Sequence, residues 1–187
     1  MRYDVVIIGA GAAGFACALT LGSANDKFDW AKDKKYLILN DNKSDLNVGK
    51  YFNVAGVDSG INGVDLLLKM KKQLEIYKDV ELKDEKATKI DNLGEYFKIT
   101  TQNSTFEASI VVLATGLHKF DIECEGVNVK DNIFVPKPNN IYLENSNNLI
   151  SKNLYVAGLA SGDGAKVACD IFKLWSGKIA VVHDVKA

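Results

Sequence analysis

Three glycines, in the run Gly9-Ala10-Gly11-Ala12-Ala13-Gly14, have the spacing that carries the clearest chemistry in this chain. They follow the apolar run Val5-Val6-Ile7-Ile8 and precede Phe15 to Leu21, where Ala16 and Ala18 suit close packing. Between a strand and a helix, G-x-G-x-x-G makes a tight turn, admits a pyrophosphate close to the backbone and lets the helix pack on the strand. The helix start then presents unpaired N–H groups and the positive end of its dipole to the phosphates. The expected chemistry is the cradling of a dinucleotide.

No other constellation competes with it. Cys17, Cys124 and Cys169 are odd in number, widely spaced and free of any C-x-x-C pair, which opposes a disulfide framework, a zinc site or a local dithiol centre. Cys17 lies among alanines and Cys169 follows Val167 and Ala168, so both read as small core residues. Glu123 and Glu125 flank Cys124, and their charges keep its thiol protonated. No carboxylate pair, metal-ligand cluster or Ser-His-Asp arrangement stands out. His118 reads as a turn residue and His183 as structural.

The elements that must position the glycines follow from pattern. Tyr36-Leu37-Ile38-Leu39 is a second buried strand ending in Asn40 and Asp41, which completes a β-α-β unit. Its connection, Gly22 to Lys35, is polar and reads as a loop or frayed extension. Residues 41–63 look irregular. Leu67, Met70, Leu74 and Tyr77 recur at helical spacing within Val64 to Tyr77. Short strands are expected over residues 80–82, 87–90, 96–100 and 106–107, with Asn92-Leu93-Gly94 as a turn, then a fully apolar strand Ile110 to Leu113 leading into Ala114-Thr115-Gly116. Both prolines, Pro136 and Pro138, fall in a loop-like stretch from about residue 119 to 150. A last strand, Leu154 to Gly158, precedes Gly162-Asp163-Gly164 and a helix through Val167, Ile171, Leu174 and Trp175 that Gly177 ends or bends.

Ala114-Thr115-Gly116 and Tyr155-Val156-Ala157-Gly158 resemble the second and third glycine motifs of flavoproteins with two dinucleotide sites. Tyr51-Phe52-Asn53-Val54-Ala55-Gly56 resembles the Glu-Asn-Phe/Tyr-Pro-Gly segment beside the flavin in thioredoxin reductases, and residues 60–77 resemble their following helix. The resemblance covers residues 1 to about 118 and about 150 to 180. It implies an α/β, Rossmann-like, three-layer FAD-binding domain with a parallel central sheet and a small antiparallel β-meander. It also implies extended FAD, with Gly9, Gly11, Ala12, Ala13 and Gly14 at the pyrophosphate and Asn40 and Asp41 at the adenosine ribose. Lys86 and Ala87 would lie near the adenine, Asn53, Ala114, Thr115, Gly116 and Gly158 along the cofactor, and the last helix, starting at Gly164-Ala165-Lys166, at the isoalloxazine. A helix start there stabilises an anionic reduced ring.

Three departures from that pattern shape the functional expectation. Asn40 stands where the family has a carboxylate, although an amide oxygen still accepts a hydrogen bond. Ala157-Gly158-Leu159 replaces Ala-Gly-Asp, leaving Asp163 either to meet the ribityl chain or to cap the last helix. Only residues 117–153 separate the second motif from the third, too few for the nicotinamide half, which needs at least two β-α-β units of about 30 residues or more each. The expectation is one domain over residues 1–187, its parts 1–118 and 150–187 joined by a short 119–149 segment.

Composition adds bounds. With 187 residues, 47% hydrophobic, 25% charged and a net charge of −1, the chain suits one soluble cytoplasmic domain and offers nothing to nucleic acid or a membrane surface. No apolar stretch nears about 20 residues, and no signal peptide is visible. The leading expectation is a small FAD flavoprotein, an oxidoreductase or electron-transfer protein fed by external NAD(P)H or a partner protein, and a homodimer. The alternatives are a non-catalytic flavin subunit of a redox complex and an NAD(P)-binding module.

Overall fold

The computed structural model describes residues 2–116, 120–124, 127–130, 133–135, 149–151, 153–157 and 161–178. Strand β1 (Arg2–Ile8) pairs in parallel with β2 (Tyr36–Leu39) on one side and with β8 (Thr105–Leu113) on the other. β2 pairs in parallel with β5 (Val80–Lys83), and the end of β8 pairs in parallel with β13 (Leu154–Val156). Strands buried on both faces need no polar alternation, which is why Val5–Ile8, Tyr36–Leu39 and Ile110–Leu113 are continuous apolar runs.

β8 serves two sheets' worth of neighbours along one edge. Its first half pairs antiparallel with β7 (Phe97–Thr101), which pairs with β6 (Ala87–Asn92), while its second half takes β13. The burial pattern changes accordingly, alternating from Thr105 to Ser109 and unbroken from Ile110 to Leu113. The expected separate strands at 106–107 and 110–113 are therefore one. The Asn92–Gly94 turn joins β6 to β7 as expected, with Gly94 N donating to Asn92 Oδ1 at 2.9 Å.

Helices α1 (Ala12–Gly22) and α3 (Ser161–Ser176) cover one face, packing Phe15, Leu21, Val167 and Phe172 against Val5, Ile7 and Ile110. The meander covers the other face, with Ile90, Phe97 and Ile99 against Val6, Ile8 and Leu39. Three layers result, as expected. α2 (Gly63–Leu74) starts one residue before the expected position and ends before Tyr77.

Three local readings need correction. Residues 23–33 are not frayed: Ala24 and Ala31 are fully buried, Phe28 stacks on Trp30 at 4.9 Å between centroids, and Trp30 meets the Phe172 ring at 5.1 Å. α3 begins at Ser161, so Gly162, Asp163 and Gly164 lie inside its first turn rather than ahead of it. The 119–150 stretch holds short strands among its described residues: β9 (Glu123–Cys124) beside β6, the antiparallel pair β10 (Asn128–Lys130) and β11 (Ile133–Val135), and β12 (Leu149–Ser151) beside β13. Gly158, Leu159, His118, His183 and both prolines lie outside the described residues.

Candidate functional site

The carboxyl ends of the parallel strands open onto a cleft of about 520 Å³. Its floor is the β1–α1 turn, Ile8 to Ala13; one wall carries Asn40 and Asp41, another Glu85 to Ala87, and a third Ala114 to Gly116 with Phe120 to Ile122. Lys43 to Leu46 and Tyr51 close the top. Ligand sites of open α/β sheets lie at this edge.

The three glycines are there for different reasons. Gly9 has φ +108, which an L side chain rarely adopts, and a Cβ on it would lie 2.2 Å from the Ala114 carbonyl oxygen. A Cβ on Gly14 would lie 1.9 Å from the Gly9 carbonyl oxygen, so the start of α1 rests directly on the turn. Gly11 is unlike both. Its φ of −87 and ψ of −167 are open to any residue, and the nearest atom to a Cβ there is Ser44 Oγ at 3.4 Å. The fold excludes a side chain at Gly9 and Gly14; at Gly11 the space belongs to the cleft.

Gly11 is also the N-cap of α1. No side chain caps this helix start, and its first turn carries no acidic residue. Free N–H groups and the dipole's positive end favour an anion at that point. At the end of the neighbouring strand β8, beside the glycine turn, Thr115 Oγ1 is buried with no hydrogen-bond partner among the described residues. An unpaired buried hydroxyl is uncommon in a folded protein and calls for an explanation.

The remaining polar residues are fixed by one another. Glu85 accepts from Thr101 Oγ1 at 2.5 Å and from Ser104 Oγ at 3.1 Å, which holds the wall between β5 and β6. Lys86 pairs with Asp121 across the cleft. That hydrogen bond raises the Lys86 pKa and lowers that of Asp121. Tyr51 donates from its hydroxyl to the Asp45 carbonyl at 3.2 Å.

Of the expected site residues, Gly9, Gly11, Ala12, Ala13, Asn40, Asp41, Ala87, Ala114, Thr115 and Gly116 line this one cleft. Gly14 supports its floor from behind. Asn53, Asp163 and Ala165 are not among the lining residues. Asn53 is exposed, and Asp163 lies in the first turn of α3. Lys166 pairs with Asp170 one turn on, at 3.1 Å. Sequence reasoning missed Lys43 to Leu46, Glu85 and Phe120 to Ile122. Ser44 leaves a faint signal, since its Oγ accepts from Leu46 N at 3.3 Å and caps a short helical turn at Asp45–Val48. Cys17 is buried, and burial pushes its thiol pKa up, which suits a core residue rather than a nucleophile.

Residues 3–171 match the family of pyridine nucleotide-disulphide oxidoreductases. The chain belongs to that family. A thioredoxin reductase of Treponema pallidum (strain Nichols) is 32% identical over 114 residues, which is 61% of this chain and 35% of the relative. The chain thus matches about a third of that relative's length. A thioredoxin reductase from Streptococcus pyogenes MGAS5005 is 28% identical, with a TM-score of 0.54 over 72% of this chain and 38% of that one. A thioredoxin reductase from Gloeobacter violaceus shares the fold at a TM-score of 0.75 and 15% identity, covering 100% of this chain and 99% of that one. Among the described residues no helix is long and apolar enough to cross a membrane, and no group of three metal-ligating side chains forms.

Proposed function

We propose that the cleft holds FAD and that the chain acts as a flavoprotein oxidoreductase or electron-transfer protein. The observation that carries this reading is Gly11, an N-cap that the protein itself leaves empty. A dinucleotide pyrophosphate needs that gap, because its oxygens must approach the first N–H groups of α1 with no side chain between. Thr115 is a second point of support, its buried Oγ1 having no hydrogen-bond partner among the described residues while the residue lines the same cleft. Asn40, Asp41 and Ala87 line the same cleft, and in this reading the first two meet the adenosine ribose and Ala87 lies near the adenine. When bound, FAD supplies the capacity to accept two electrons and release them singly or together.

The electrons come from outside the chain in this reading, from diffusible NAD(P)H or a partner protein. Residues 117–153 replace the nicotinamide-binding half, and no C-x-x-C pair is present in the sequence. The domain proposal follows: one FAD-binding unit made from residues 1–118 and 150–187. Homodimerisation belongs to the same proposal, supported by Val48, Phe52, Leu68 and Ile76, which stand 91%, 72%, 59% and 70% exposed.

The test is the absorption spectrum of the purified chain, followed by anaerobic mixing with NAD(P)H. Flavin bands at stoichiometric yield are expected, and a colourless protein that takes up no FAD on incubation overturns the reading. Rapid bleaching by NAD(P)H alone assigns the donor to the free nucleotide. Bleaching only with a reduced partner protein assigns it to the partner.

A further inference from the structure

Asn40 and Asp84 sit side by side at the ends of two paired strands. β2 and β5 run in register with Leu39 opposite Lys83, and Asn40 N continues the ladder to the Lys83 carbonyl at 2.9 Å. The Asn40 amide is then fixed by its neighbours. Nδ2 donates to Asp84 Oδ1 at 2.8 Å and to Asn42 Oδ1 at 2.7 Å, while Oδ1 accepts from Asn42 N at 3.0 Å. Asn42 reaches this position with φ 61, a left-handed conformation that asparagine tolerates.

An ionised carboxylate can only accept, so Asp84 dictates which end of the amide turns toward it. Both Nδ2 hydrogens are thereby engaged. One lone pair of Oδ1 is left, on a residue that lines the cleft. Toward a ligand, Asn40 is an acceptor and nothing else.

We propose that Asp84 is a positioning residue that makes Asn40 a hydroxyl acceptor, so that the site takes an adenosine with free ribose hydroxyls and rejects a 2′-phosphorylated one. The proposal rests on the reading of the cleft as a dinucleotide site. A ribose hydroxyl has a hydrogen to give to Asn40 Oδ1. A 2′-phosphate dianion has none, and it meets the Asp41 carboxylate beside Asn40 and the Asp84 carboxylate behind it. Lys43 and Lys86 also line the cleft, but Asp41, Asp45, Glu85 and Asp121 outnumber them, and Lys86 is held by Asp121. Asn40 therefore does the work of the strand-end carboxylate that it replaces, with Asp84 setting its orientation.

The experiment titrates the full chain, freed of flavin, with ADP, 2′-deoxy-ADP and 2′-phosphorylated ADP. Wild type is expected to bind ADP roughly 3- to 10-fold more tightly than the 2′-deoxy form, the worth of one hydrogen bond, and to bind the 2′-phosphorylated form most weakly. Asp84→Ala narrows the ADP to 2′-deoxy-ADP ratio to below about twofold. Asp84→Asn, whose amide oxygen still accepts from Asn40, restores it. Asp84 is exposed, so neither variant threatens the fold, and thermal unfolding verifies that. A ratio unchanged in Asp84→Ala, or tightest binding of the 2′-phosphorylated form by wild type, overturns the proposal. Wild type that binds neither ADP nor FAD overturns the dinucleotide reading itself, and this proposal with it.

Discussion

Gly164 meets Ala13 with no room for a methyl group: a Cβ on Gly164 would lie 1.8 Å from the Ala13 carbonyl oxygen and 2.9 Å from Cys17 N. α3 and α1 thus touch backbone to backbone near their starts, and α3 holds the glycine turn of the cleft from behind. Gly164→Ala must push the helices apart. Overpacking of this kind costs about 1–3 kcal/mol or more. Urea denaturation is expected to show that loss, and an unchanged midpoint would contradict the close approach.

The opposite end of the sheet depends on a buried amide. Tyr36, fully buried, donates its hydroxyl to Asn25 Oδ1 at 2.8 Å, while Asn25 Nδ2 donates to the Lys34 carbonyl at 2.8 Å and to Asp79 Oδ2 at 3.2 Å. Tyr36→Phe leaves Asn25 Oδ1, on a residue only 7% exposed, without its donor. The expected loss is about 1–3 kcal/mol, read by denaturant unfolding, with FAD affinity unchanged because Asn25 and Tyr36 lie away from the cleft. A variant as stable as wild type would show that the network contributes nothing.

Acidification should destabilise the fold in a defined direction. Hydrogen bonds from Lys35, Tyr3 and Lys86 hold the Asp79, Glu81 and Asp121 carboxyls below the usual carboxylate range. The unfolded chain then binds more protons in acid than the folded one. This stability is complete above the ordinary carboxylate pKa of about 4 and is lost as pH falls through the depressed folded values. Melting temperature is expected to be level from about pH 7 to 5 and to drop below about pH 4. Half-molar salt should soften the part of the drop that comes from the Lys35–Asp79 and Lys86–Asp121 ion pairs, which are partly exposed. A rise in stability between those acid values would reverse the sign of the argument.

The parts of the fold legible in the sequence are those whose residues declare their burial locally. Val5–Ile8, Tyr36–Leu39 and Ile110–Leu113 are apolar without a break because both faces of a parallel sheet are covered. The glycine turn was legible because steric need restricts Gly9 and Gly14 to one residue type. Residues 23–33 were not: Ala24, Phe28 and Ala31 do stand at helical spacing, but the stretch is short and diluted by Asp26, Lys27, Asp29, Lys32 and Asp33, so its polarity outweighs the pattern. The burial of its apolar residues comes from α3, which is distant in sequence. The start of α3 was hidden for a related reason. Gly162 and Gly164 read as loop residues, whereas Gly164 is required by the contact with Ala13. At the cleft, Asn40 and Thr115 were expected from the resemblance to flavoproteins, but Ser44 and Asp121 reach it only through tertiary structure.

Gly11→Asp asks whether the gap at Gly11 exists for a dinucleotide. An aspartate at an N-cap accepts from the first-turn N–H groups, so the flavin-free variant should be as stable as wild type or a few tenths of a kcal/mol more so. The same carboxylate takes the place of the pyrophosphate at the start of α1 and repels it. The expected variant unfolds like wild type and carries almost no flavin. Full flavin occupancy in a folded Gly11→Asp protein would contradict the dinucleotide reading of the gap.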